Sequence, residues 1–210
     1  KRCMPVPKSL LPMIFIAALT PTVALAGALA DAAKKAEEQA AAGDTVGAHT
    51  TIRDAYGAFA ATLPFSIGKA VFVSAPPEGY GMYATRPEAS FKAGEALISY
   101  VEPVGLTWRP VDGGLLESHF TVDLELLDPK GAKLAEQKAF GSFDFKGSVR
   151  NQEVFAKLTL NLTSPPAGDY VLRYRFRDSA SGAARIVAAT RAARERRIIM
   201  IVSPGCLGRG

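Results

Sequence analysis

Hydrophobic and polar residues alternate strictly in two neighbouring runs, residues 154–162 and 170–177, separated by the turn-forming Pro165-Pro166-Ala167-Gly168. In the first run Val154, Ala156, Leu158, Leu160 and Leu162 share one face, while Phe155, Lys157, Thr159 and Asn161 share the other. In the second, Tyr170, Leu172, Tyr174 and Phe176 point one way, and Val171, Arg173, Arg175 and Arg177 the other. A period of two over that length predicts strands with one buried and one wet face, and each buried face needs an opposing layer. The same pattern runs through residues 115–128, with Phe120, Val122, Leu124 and Leu126 inward and His119, Thr121, Asp123 and Glu125 outward. Asp128-Pro129-Lys130-Gly131 is a turn signal, so residues 133–140 are expected to return as a hairpin partner. Gly141 to Arg150 reads as a polar connection crossing between sheets. Upstream, residues 70–75 and 97–102 read as further strands. The Gly79-Tyr80-Gly81-Met82-Tyr83 stretch reads as a glycine-interrupted strand at an edge or a mouth.

The spacing is different before residue 65. Ala28 to Ala42 is rich in alanine and charged helix formers and stops at Gly43, a natural helix terminator. Asp44 is placed to cap a second helix, in which Val46, Ile52, Tyr56, Phe59 and Leu63 recur at near-helical intervals until Pro64. Residues 27–64 are therefore expected to form a helical hairpin. It resembles half of a tetratricopeptide-type repeat, but one copy cannot make a solenoid, which needs about three. A helical arm packed on the β domain or used for self-association is the expectation. Residues 1–26 carry the marks of a secretory leader: Lys1, Arg2 and Lys8, an apolar run from Leu10 to Leu19, and the small-x-small site Ala24-Leu25-Ala26. Export to a periplasmic or secreted location follows as an expectation, with no stable membrane span once the leader is removed, because the run falls short of the ~20 residues a bilayer demands.

Charge narrows the partner classes. The net charge of +5 is all in residues 183–210, which hold Arg185, Arg191, Arg194, Arg196, Arg197 and Arg209 against Glu195. Residues 1–182 are neutral overall, and no basic footprint for nucleic acid lies on the body. Residues 183–197 read as a basic helix or, in part, a last strand at 185–190, and residues 191–210 as a basic, poorly ordered tail. The cysteines, Cys3 and Cys206, sit at opposite ends and indicate no disulfide framework.

Pro166-Ala167-Gly168-Asp169-Tyr170, the strand after it, and Asp178-Ser179-Ala180-Ser181-Gly182 together resemble the penultimate-strand signature of bacterial immunoglobulin-like and macroglobulin-like domains. Phe91, Gly94 and Glu95 before the 97–102 strand are similar to the strand entry of secreted immunoglobulin-like domains. The resemblance implies a mainly β fold: an antiparallel immunoglobulin-like β-sandwich of about seven to nine strands spanning residues 65–190, behind the helical hairpin. It also implies that Tyr170 is a corner residue whose hydroxyl bonds back to the backbone. It brings no catalytic residue with it.

No motif for catalysis stands out. His49 and His119 lack ligand spacing to any acidic or cysteine cluster, so no metal or other cofactor is expected. Glu95, Glu102, Asp123, Glu125 and Glu153 are dispersed acids, which on strands usually form a solvated face. The speculative ligand residues are Tyr80, Tyr83, Tyr100 and Trp108 as an aromatic platform, and Arg173, Arg175 and Arg177 as a ladder spaced ~7 Å along one strand. The alternatives are a core role for the rings and neutralisation of the ladder by Asp123 and Glu125. The expected function is a non-enzymatic interaction or structural component of the cell envelope, with an envelope protein or a glycan as partner.

Overall fold

The computed structural model describes residues 24–163, 165–190, 198–199 and 202–204. Two helices lead: α1 (Ala24–Ala41) and α2 (Thr45–Ala60). Between them Gly43 takes φ +83°, which ends α1, and the Asp44 carboxylate accepts the Gly47 N–H at 2.9 Å to start α2. Thr51 on α2 donates to Gln39 on α1 at 2.7 Å and fixes the two helices against each other. The positions α2 buries are small, Gly57 and Ala60. A Cβ at Gly57 would lie 3.5 Å from Arg150, so glycine lets the helix approach the 148–155 connection closely. Its larger apolar residues, Val46, Ile52, Tyr56 and Phe59, are exposed.

The remainder is β structure: β1 (Ser66–Val73), β2 (Ser90–Phe91), β3 (Leu97–Val104), β4 (Arg109–Val111), β5 (Leu115–Leu127), β6 (Lys133–Gly147), β7 (Ala156–Leu160), β8 (Val171–Asp178), β9 (Ala184–Thr190), β10 (Ile198–Ile199) and β11 (Val202–Pro204). Every pairing among them is antiparallel. One sheet has the order β1-β3-β7; a larger one runs β11-β9-β8-β5, with β6 on the other edge of β5 and the short β4 continuing the β8 edge. In β7 the alternate set Ala156, Leu158 and Leu160 is placed inward as the alternation dictates. A single hydrophobic cluster takes Leu97, Val101, Ala156 and Leu158 from the smaller sheet and Phe120, Val122, Leu172, Tyr174 and Phe176 from the larger. Phe65 meets Phe120 at 6.4 Å between ring centroids, and Ser99 Oγ lies 3.2 Å from Tyr174 Oη inside the cluster. That burial pushes the Tyr174 phenol well above its ordinary range.

Three expectations need correction. The β5 partner does not stop at residue 140: β6 continues to Gly147, so most of the supposed connection is strand. Gly141 reads as a break, yet it remains paired with Val122 because Phe143 and Phe145 beyond it stack on Phe120 at 5.0 and 5.9 Å. The Gly79–Tyr83 stretch is a tight turn rather than a strand, with Gly81 at φ +71° and the Met82 N–H bonded to Gly79 O. Of the two readings of this stretch, the strand is the one formed: residues 184–190 are β9, since β8 offers a free edge in register from Val171 to Arg177. In the stretch read as a poorly ordered tail, β10 pairs with β2 and β11 with β9, two strand edges that would otherwise have unpaired backbone groups. Residues 191–197, and residues 1–23 of the stretch expected to be a leader, lie outside the described residues.

Leu172 is fully buried in the shared cluster, whereas Val46 on α2 is 77% exposed. Leu172→Ala is expected to cost about 2–5 kcal/mol in urea denaturation and Val46→Ala no more than about 0.5 kcal/mol. Equal losses would show that the cluster is not what holds the sheets.

Candidate functional site

Inward residues of β3 are Leu97, Ser99 and Val101, so Tyr100 and Glu102 lie on the opposite, outward face of the three-stranded sheet. Register sets Val71 and Lys157 beside Tyr100, and Lys69 beside Glu102. A tyrosine on an outward face is normally wet, yet Tyr100 has no exposed surface. The segment after β1 folds back over it: Tyr83 stacks on its ring at 4.1 Å between centroids, and Phe155 stacks at 5.3 Å. Its hydroxyl accepts the Gly81 N–H at 2.8 Å and donates to Glu102 Oε1 at 2.9 Å. Burial, reinforced by the bond to Glu102, pushes the Tyr100 phenol up to about 12. The Lys69 ammonium sits 5.6 Å from the centroid of the Tyr83 ring. The Tyr83 hydroxyl and the Glu102 carboxylate hold the Lys69 pKa above its ordinary value.

Above this stack Tyr80 and Met82 are exposed at the tip of the turn. The pKa of Tyr80 is raised first by partial burial and then by the Glu102 carboxylate. The structure therefore gathers Tyr80, Tyr83 and Tyr100 on one face and adds Lys69, Glu102 and Phe155 to them. Trp108 is elsewhere. It packs on the hydrophobic cluster before β4, its indole N–H buried without a hydrogen-bond partner among the described residues.

The arginines lie on the other sheet, paired with β5 so that Arg173 faces Glu125 and Arg175 faces Asp123. Arg173 donates to Glu125 at 3.1 Å, and Arg177 reaches Asp123 at 2.7 Å. Asp123 and Glu125 point outward yet are buried, because Arg173, Arg177, Lys133 and Lys138 close over them. A bulge in β6 puts Ala139 at φ +49° and aims its N–H at Asp123, 3.1 Å away. For both acids burial pushes the pKa up, but it is outweighed. Ala139, Arg177 and Lys138 hold Asp123 below its ordinary value, and Lys133 and Arg173 do the same for Glu125. Glu136 stands opposite Glu125 with Lys133 bridging the two at 3.3 and 2.7 Å. Arg175 has no ion pair among the described residues.

Tyr170 donates its hydroxyl to Pro166 O at 2.7 Å, four residues upstream. The Phe91–Glu95 segment is a turn with Gly94 at φ +80°, where Glu95 accepts the Lys92 N–H at 2.8 Å and pairs with Arg86 at 2.6 Å. Arg86 also lies 4.2 Å over the Phe91 ring and donates to Ser90 O. Asp178, fully buried, accepts from Thr107 Oγ1 at 2.6 Å and from Ser181, tying the β8–β9 turn to the entry of β4. His119 bonds Ser142 at 2.9 Å, far in the chain from His49 on α2. Among the described residues no three His, Cys, Asp or Glu side chains are grouped as metal ligands, and no helix is long and apolar enough to cross a membrane. In comparison with known proteins, no family model matches the chain and no curated protein matches it in sequence.

Sequence reading placed three of the tyrosines on its list but missed Lys69 and Phe155. Phe155 carried a signal, an aromatic on the wet side of an alternating run.

Because Asp123 and Glu125 titrate lower in the folded chain, they add stability above the unfolded range of about pH 4, and that stability is lost as pH falls through their folded-state values. Acid unfolding followed by circular dichroism is expected to flatten below about pH 4 in Asp123→Asn relative to the parent chain. An unchanged profile would mean the pairing contributes no net stability.

Proposed function

We propose that this chain is an exported, non-enzymatic immunoglobulin-like β-sandwich that serves as an interaction component of the cell envelope and meets its partner at the tyrosine face. The strand order supports the sandwich: β1-β3-β7 and β6-β5-β8-β9, both feeding one cluster, are what two antiparallel layers of an immunoglobulin-like domain would give. The Tyr170 bond to Pro166 fits a tyrosine corner. Export rests on the leader pattern of residues 1–26.

One observation carries the functional part. The outward face of a three-stranded sheet is covered by a purpose-shaped turn, and the cover leaves Tyr80 41% and Met82 58% exposed at its tip. Large apolar residues grouped at a surface are the usual mark of a contact site. The arginine ladder belongs to a different sheet and spends Arg173 and Arg177 on Glu125 and Asp123. A ligand-binding role, for glycan or peptide, is therefore better supported on the tyrosine face alone than on the rings and arginines together. Trp108 takes no part in it.

The test is recovery of partners from envelope extracts by the tagged chain, compared with Tyr80→Ala and with Arg175→Ala. Tyr80→Ala is expected to reduce recovery about tenfold with its melting curve unchanged, and Arg175→Ala to leave it intact. Recovery that survives Tyr80→Ala but fails with Arg175→Ala would move the contact to the other sheet and overturn the reading.

A further inference from the structure

We propose that the cleft between α2 and the open end of the β5–β6 hairpin binds a phosphate monoester, through the Arg53 and Arg150 guanidiniums and the Ser148 hydroxyl. The cleft shares no residue with the tyrosine face, so the inference stands apart from the reading of that face. It measures about 320 Å³ and has α2 as one wall, with Leu116 of β5 and the connection after β6 as the other.

Geometry brings the two arginines together. Arg53 and Gly57 lie one helical turn apart on one face of α2, with Cβ positions about 6 Å apart. A Cβ at Gly57 would meet the Arg150 Cβ at 3.5 Å. The stems of Arg53 and Arg150 therefore start within about 10 Å of each other on facing walls, close enough for both guanidiniums to reach one anion. Neither is fully used. The Arg150 carbonyl accepts from Gln152 Nε2 at 3.0 Å, while its guanidinium makes no ion pair among the described residues. Arg53 gives Nε and Nη2 to a single Asp54 oxygen at 3.1 and 3.0 Å, which leaves Nη1 open.

The charged groups lining the cleft are Arg53, Asp54 and Arg150, a surplus of one positive charge. On the adjoining strands Glu117 and Lys146 neutralise each other at 3.0 Å. Arg53 also borders a groove between the helices where Glu37 and His49 stand, but its ion pair is with Asp54. Glu153, three residues after Arg150, does not line the cleft. An ammonium ligand would face two guanidiniums. A carboxylate is satisfied by one guanidinium fork, as Asp54 is by Arg53. A phosphate monoester turns oxygens in several directions, so it can reach arginines on both walls and Ser148, and its charge near −2 lets it compete with Asp54. The volume is about ten times the ~30 Å³ share of a water in the liquid, which leaves room for the group that carries the phosphate. Half-buried Leu116 and Val149 give that group an apolar wall.

The experiment is a titration of the purified, ¹⁵N-labelled chain with phenyl phosphate, followed by amide shifts, with benzoate as the parallel arm. Shifts are expected at Gly57, Ser148 and Arg150, with phenyl phosphate bound more tightly than benzoate. Arg53→Gln and Arg150→Gln should each weaken phenyl phosphate binding about five- to tenfold. Asp54→Asn removes the competing carboxylate and should strengthen it about two- to threefold. Lys130→Gln, at the turn that closes the far end of the β5–β6 hairpin, loses the same charge as the arginine variants and should change nothing. All four positions are exposed, so the variants should keep the parent melting curve. Cosedimentation with phosphatidylcholine vesicles containing phosphatidic acid separates two sources of the phosphate. Capture that Arg150→Gln abolishes assigns it to a lipid headgroup, and phenyl phosphate binding without capture assigns it to a soluble ester. Benzoate bound as tightly as phenyl phosphate would overturn the proposal, as would shifts that miss Gly57, Ser148 and Arg150. So would a loss from Lys130→Gln as large as that from Arg150→Gln, which would reduce the effect to net charge.

Discussion

Phe120, Val122 and Leu124 of β5 and Leu172, Tyr174 and Phe176 of β8 turn toward the same cluster that Leu97, Val101, Ala156 and Leu158 enter from the smaller sheet. Every other surface follows from that choice of side. A strand has two faces, and committing one set of side chains inward decides which residues are offered outward. On the larger sheet the outward set is charged: Asp123, Glu125, Arg173, Arg175 and Arg177. On the smaller it is aromatic and mixed: Lys69, Tyr100, Glu102 and Phe155. A slip of one residue in β3 would bury Glu102 and expose Val101, so the core specifies the tyrosine face as strictly as it specifies itself.

The two outward faces have solved opposite problems. On the larger sheet, acids and bases sit directly across strands and neutralise each other, to the point that Asp123 keeps only 3% of its surface. Burial of a carboxylate is costly unless cations and N–H donors replace water around it, and here Arg177, Lys138 and the Ala139 N–H do so. The left-handed Ala139 shows what that replacement requires of the backbone, since alanine adopts φ +49° only where the surroundings impose it. Such a face is built inward on itself and has little left to offer a ligand beyond Arg175. On the smaller sheet the polar groups are fewer, and the cover over Tyr100 is made of rings, which satisfy one another on their faces but leave the outermost face bare.

Much of this was legible before any coordinates, and the reasons for what was not are local. Alternation in residues 154–162 and 170–177 identified β7 and β8, and the Gly43-Asp44 pair marked the joint between α1 and α2 because those residue types have few other uses at a helix boundary. Gly141 misled because a glycine in a strand and a glycine in a loop look alike until the stacking of Phe143 and Phe145 on Phe120 is known. The same ambiguity ran the other way at Gly81, where alternation with Tyr80 and Met82 imitates a strand but a positive φ makes a turn. The partners of Asp123 and Glu125 could be named in advance because β5 and β8 are long and regular. The company of Tyr100 could not, since it depends on how the irregular residues 74–89 fold back across β1.

The helical hairpin is packed on a different principle. Its buried positions are Gly57 and Ala60, so α2 is held by close backbone approach to the connection before β7 and not by its large side chains. That leaves Ile52, Tyr56 and Phe59 exposed. A helix whose only task was to shield the β domain would bury its largest apolar residues, since each is worth about 1.5–3 kcal/mol when removed from water. Here the small residues take the contact and the large ones are left at the surface. The consequence is that the seat of α2 is set by backbone approach at Gly57, while its large apolar residues stay at the surface.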